Sequence, residues 1–166
     1  MKYIWYLYMM FVVGPQGRLD LKLAMPESQC AMSTLQNVLI ICHPHPQLGG
    51  SMDNKVVTTI QKAALMCNYG TVCFNFRGVG TSEGAYDKAV GELEDLVAII
   101  DWSRNNYPAA NIHLSGFSFG AFIAYKYACT TGIGNLLLVA PPVNMFDFSE
   151  YNLPKQTRLR IIHGAI

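Results

Sequence analysis

Short apolar runs alternate with stretches of helical periodicity along most of the chain. At residues 18–25, Leu19, Leu21 and Leu23 alternate with Arg18, Asp20 and Lys22, the period-two signature of a half-buried strand. Residues 26–36 are polar and turn-like. Residues 37–42 (NVLIIC) form a continuous apolar run, as a central strand buried on both faces would read. Residues 51–68 then place Val56, Val57, Ile60, Ala63, Ala64 and Cys67 at helical spacing, with Ser51 or Asp53 available as N-cap. A strand is predicted at 71–76. A helix follows at 90–105, with Val90, Leu93, Leu96, Val97 and Ile100 on one face and Glu94, Asp95 and Asp101 elsewhere. A strand at 111–115, a helix at 119–130, a strand at 135–140 stopped by Pro141-Pro142, and a last strand at 158–163 complete the series. This alternation predicts an α/β architecture, a mostly parallel sheet with helices on both faces. No repeat, low-complexity tract or linker interrupts it, so residues 1–166 read as one domain.

Lys2 followed by YIWYLYMMFVV has the outline of a secretory leader. Only one basic residue precedes the run, however, no small-x-small cleavage site follows, and Gly14-Pro15 opens a turn. The aromatics suit a strand better than a leader helix, so residues 1–10 are expected to be a first strand or an extension.

Composition narrows the function classes. Of 166 residues, 51% are hydrophobic and 14% charged, with a formal net charge of +1. That balance excludes disorder and gives no basic excess for a nucleic-acid partner. No apolar run approaches the ~18 residues of a membrane helix, so no membrane partner is expected. Five cysteines (Cys30, Cys42, Cys67, Cys73 and Cys129) are odd in number and widely spaced, which fits a reducing, cytoplasmic setting better than a disulfide framework.

Three segments could carry chemistry. Gly116-Phe117-Ser118-Phe119-Gly120 is a G-x-S-x-G between a predicted strand and a predicted helix. Small neighbours, Gly116 and Gly120, let the backbone turn sharply so that a serine hydroxyl projects. The helix behind it then aims its N-terminal N–H groups at a developing oxyanion. His43-Pro44-His45-Pro46-Gln47-Leu48-Gly49-Gly50 follows the central strand, where a second oxyanion donor would lie. Pro44 and Pro46 have no N–H, which leaves His45, Gln47 and Leu48 on this loop beside Phe119 after the serine; His45 is preferred by position. His43-x-His45 supplies too few ligands for a metal, and Cys42 and Asp53 have a buried strand position and a helix-cap role instead; no metal is expected. Arg77-Gly78-Val79-Gly80 follows a strand, but the third glycine of a dinucleotide fingerprint falls on Glu83, and no helix begins there. No cofactor is expected, and Arg77 is read as bracing the loops around the site.

The segments HPHPQLGGSMDNKVV (43–57), FNFRGVGTSEG (74–84), GELEDL (91–96), LSGFSFGAFIA (114–124) and LLLVAPPV (136–143), in this order, resemble the small bacterial α/β-hydrolase family of lidless, single-domain predicted hydrolases. The resemblance runs from about Phe11 to the last residue. It implies the three-layer α/β-hydrolase fold, Ser118 as nucleophile, the His43–Gly50 loop on the oxyanion side, and a small ester, thioester or amide as substrate.

The superfamily orders its triad as serine, acid, histidine. After Ser118 this chain offers only Asp147, Glu150 and His163, with His163 inside a predicted strand. In the family, the acid comes just after the strand corresponding to 159–164, and the histidine later. The expectation is therefore a domain without its last strand and helix, lacking acid and base and nearly inactive by itself, since losing such a group costs on the order of 10⁶ in rate. His45 and Asp147 are the substitutes within reach of the idea. Leu159, Ile161 and Ile162 are expected on an unpaired sheet edge, which invites self-association. The rival reading is a non-catalytic remnant that binds a ligand or protein partner through the same cleft.

Overall fold

In the computed structural model, residues 5–27 and 35–164 are described. Cys30 and most of the expected turn at 26–36 lie outside the described residues. Seven strands form one sheet: β1 (Trp5–Gly14), β2 (Gly17–Pro26), β3 (Asn37–Cys42), β4 (Gly70–Phe74), β5 (Asn111–Phe117), β6 (Asn135–Val139) and β7 (Arg158–Ile162). Their order is β1-β2-β4-β3-β5-β6-β7. β1 and β2 form an antiparallel hairpin, β2 meets β4 antiparallel, and every other neighbouring pair is parallel. The aromatic amino-terminal run is thus a strand, its Gly14 opposite Gly17 across a tight turn.

Three helices cover the sheet: α1 (Lys55–Met66), α2 (Gly91–Asn106) and α3 (Phe119–Thr131). β3 is buried almost throughout because it sits mid-sheet, which is why its sequence shows no polar face. One side of the sheet meets α2 and α3 in the main core, where Leu19, Leu23, Phe74, Phe76, Leu96 and Ile99 are fully enclosed. The other side meets α1 through Ile41, Met52, Val57 and Cys73.

Two helices differ in detail from the sequence expectation. α1 is capped by Asn54, whose Oδ1 accepts from Val56 N–H at 2.9 Å, while Asp53 pairs with Lys22 of β2 instead. On α2 the inward face carries Glu92 and Asp95 beside Leu96, Ile99 and Ile100, and leaves Val90 and Val97 exposed. The helix is rotated from its apolar stripe because those two carboxylates serve buried partners described below. At the far edge, Ile161 and Ile162 of β7 are exposed as expected, whereas Leu159 is half-buried against the main core. Among the described residues, no helix is long and apolar enough to cross a membrane.

Candidate active site

The carboxyl ends of the parallel strands gather the three segments singled out in the sequence. Ser118 lies between β5 and α3 with φ 52 and ψ −119, a left-handed conformation that L side chains rarely adopt. Such strain persists only where surrounding structure enforces it. Here Ser118 N–H donates to Val139 O of β6 at 2.9 Å, and Ser118 O accepts from Ala121 N–H at 2.8 Å. Ser118 occupies the N-cap of α3, yet its side chain makes no capping hydrogen bond, so the hydroxyl is left to project.

The glycines of the motif have steric reasons. A Cβ at Gly116 would collide with the backbone of Gly120 and Ala121. One at Gly120 would collide with the carbonyls of Cys42 and His43, so α3 starts in direct backbone contact with the end of β3. Phe119 and Gly120 open the helix, and their N–H groups precede its hydrogen-bond ladder.

His43 and His45 play different parts. His43 is fully buried; its Nε2 accepts from Phe76 N–H at 3.0 Å and its Nδ1 lies 2.6 Å from Pro44 O. That pattern fits a neutral ring with its proton on Nδ1, and burial lowers its pKa to about 4. His45 is half-buried at the start of a 3₁₀ turn, Pro46–Leu48, and its Nδ1 accepts from Gln47 N–H at 3.2 Å. Its Nε2 lies 3.2 Å from the Tyr86 hydroxyl. The His45 ring sits 5.1 Å from that of Phe119 and 4.9 Å from that of Tyr86, so the loop leans directly on the serine turn.

Arg77 is almost wholly buried. Its Nε and Nη2 reach both carboxylate oxygens of Asp95 at 2.8–3.1 Å, its N–H reaches Asp95 Oδ2 at 2.9 Å, and Nη2 also meets Glu94 at 3.2 Å. The guanidinium passes over Gly91, where any Cβ would strike it. Glu92, fully buried, accepts from Asp87 and Ala89 N–H at 2.8 Å each. Together these bonds fix the 77–90 loop, and with it Tyr86. Sequence reasoning missed Tyr86, Glu92 and Asp95. The available signal was two carboxylates three residues apart, Glu92 and Asp95, in the same helical row as the apolar Leu96 and Ile99.

The two substitutes considered for acid and base have other hydrogen-bond partners. Asp147 is tied to Ser149, whose hydroxyl and N–H donate to Oδ1 at 2.6 and 2.8 Å and hold the carboxyl below its usual range. Both ring nitrogens of His45 are occupied, as above. His163 is exposed beyond β7, its Nδ1 3.0 Å from Gly164 O. Among the described residues, no group of three or more His, Cys, Asp or Glu side chains could hold a metal ion.

Comparison with known proteins follows this geometry closely. Residues 37–159 match the family model described as the alpha/beta hydrolase fold. An uncharacterised protein of Rickettsia prowazekii (strain Madrid E) is 40% identical over 143 residues, covering 82% of this chain. The chain spans 57% of that relative's length. Among solved structures, a serine hydrolase without lid from Xanthomonas campestris aligns with a TM-score of 0.84 and 32% identity, covering 95% of this chain and 84% of the other. An alpha-beta serine hydrolase homologue from Coxiella burnetii aligns with a TM-score of 0.80 and 33% identity, covering 95% and 88% respectively. A strained, uncapped serine on a strand-to-helix turn, inside a seven-stranded mixed sheet and within the matched residues, places the chain in the alpha/beta hydrolase fold family.

Proposed function

We propose that this chain carries the nucleophile and oxyanion half of a serine hydrolase acting on a small ester, thioester or amide. The single observation that carries the reading is the Ser118 turn, strained, glycine-flanked and with its hydroxyl unused by the helix it begins. In the reaction, Ser118 Oγ attacks the carbonyl carbon, its proton passes to solvent water and through it to the leaving group, and the carbonyl oxygen becomes an oxyanion. Phe119 N–H and the N–H of His45 would receive that oxyanion. The leaving group departs to give an acyl-Ser118 intermediate, which water then hydrolyses. Arg77 and His43 support the site from behind: Arg77 through Asp95, and His43 by joining the end of β3 to Phe76.

By themselves these residues are expected to turn over slowly. In support of this, the ring nitrogens of His43, His45 and His113 have hydrogen-bond partners other than Ser118. The same observation favours a second reading, a cleft that binds a carbonyl ligand without turning it over. Hydrolysis of a short-chain p-nitrophenyl ester separates the two. A slow rate that disappears in Ser118→Ala supports catalysis, and identical background rates in both proteins support the binding reading.

A further inference from the structure

The turn just after Tyr86 is strained. Val90 N–H donates to Asp87 O at 3.0 Å, and the two residues between them, Lys88 and Ala89, have φ of 51 and 69. Among the described residues, this is the one place where two adjacent non-glycine residues are left-handed. Turns with that φ pattern ordinarily take Asn-Gly, because a Cβ is unfavourable at both central positions. Contacts from two helices hold the backbone there. Ala89 N–H donates to Glu92 Oε2 of α2 at 2.8 Å, and Ala89 O accepts from Lys126 Nζ of α3 at 3.1 Å. α3 is also the helix that Ser118 begins, so one element grips both the strained turn and the serine. Backbone strain of this kind clusters at functional sites, and the side chain it displays here is Tyr86.

Tyr86 meets the loop that carries the second oxyanion candidate. Of the three N–H groups considered on that loop, Gln47's goes to His45 Nδ1 at 3.2 Å and Leu48's to His45 O at 3.1 Å, which leaves that of His45. A ring nitrogen that accepts carries no proton, so the neutral His45 ring has its proton on Nε2. Nε2 lies 3.2 Å from the Tyr86 hydroxyl, whose oxygen therefore accepts. A ring turned over, or protonated on Nδ1, would face Gln47 N–H with a hydrogen of its own and open the 3₁₀ turn. The Tyr86 oxygen disfavours both.

We propose that Tyr86 is a positioning residue for the oxyanion side of the site, a role that rests on the serine-hydrolase reading for its catalytic consequence. Its hydroxyl fixes the His45 ring, the ring caps Gln47, and the cap keeps His45 N–H beside Phe119.

Nitrogen-15 NMR of the full chain tests the arrangement, and the rate of fluorophosphonate labelling at Ser118 tests its consequence. The variants are Tyr86→Phe, His45→Ala, His45→Asn and the double variant Tyr86→Phe/His45→Ala. NMR is expected to show His45 protonated on Nε2, with Gln47 amide exchange about tenfold faster in Tyr86→Phe. Labelling is expected to slow about tenfold in Tyr86→Phe and in His45→Ala, with no further loss in the double variant. His45→Asn, whose Oδ1 stands where Nδ1 stood, is expected to recover most of the rate lost in His45→Ala. Far-UV spectra matching the parent chain establish that each variant is folded. A His45 ring protonated on Nδ1, unchanged Gln47 exchange in Tyr86→Phe, additive losses in the double variant, or no recovery in His45→Asn would overturn the proposal. A parent chain that does not label at Ser118 overturns the serine reading instead, and the two NMR outcomes then decide the Tyr86 arrangement.

Discussion

At Ser118, a residue type favoured at helix N-caps sits at one and withholds its side chain from the helix. The backbone is held in that geometry by contacts only glycine permits. Gly120→Ala would drive a methyl into the Cys42 and His43 carbonyls, which are backbone and cannot rotate aside. It is expected to cost about 2 kcal/mol or more, read as a lowered midpoint in urea unfolding. His43 gives a pH prediction at the same scale. Its folded pKa of about 4 lies below the ordinary 6.5, so the unfolded chain binds the proton more tightly. Its contribution is fully present above pH 6.5 and is lost as pH falls toward 4, to the extent of about 3 kcal/mol. His113, also lowered by burial, acts in the same direction. Urea midpoints measured from pH 7 down to 4 should fall, and an NMR titration should show the His43 ring neutral at pH 5.5.

The elements were legible because strand and helix periodicities differ and each run is long enough to show one of them. All three helices and all seven strands lie within a few residues of their expected places, including the elbow between β5 and α3. The inward face of α2 was not legible. A period count follows apolar residues, and here Asp95 and Glu92 are buried for their partners rather than for their polarity. On α1 the helix lies within its expected bounds, although Ala63 and Cys67, counted in its apolar spacing, are exposed and Gln61 is buried. The α2 finding has a measurable consequence. Asp95→Ala would leave the Arg77 guanidinium buried without its bidentate partner, and is expected to destabilise the fold by about 3–5 kcal/mol. Thermal unfolding checks it, with the exposed Asp101→Ala as a control that should change stability little.

Over the whole molecule, helices cover the middle of the sheet while its two ends present apolar side chains to solvent. Leu7, Met9, Phe11 and Val13 project from one face of β1, and Ile161 and Ile162 from β7. No charged residue or proline occurs between Trp5 and Gly14, although edge strands usually carry one to discourage pairing. We propose that copies of the chain associate through these edges. Light scattering over a concentration series should show mass rising with concentration, and Phe11→Lys should reduce it; a constant monomer mass would argue against the edges as contacts. The central claim, however, concerns Ser118, and covalent labelling tests it most directly. The chain and Ser118→Ala are each treated with a fluorophosphonate probe, and the modified peptide is located by mass spectrometry. A slow but saturable adduct on Ser118 that the variant lacks is expected. Equal labelling of both proteins, or an adduct mapped to any other residue, would contradict it.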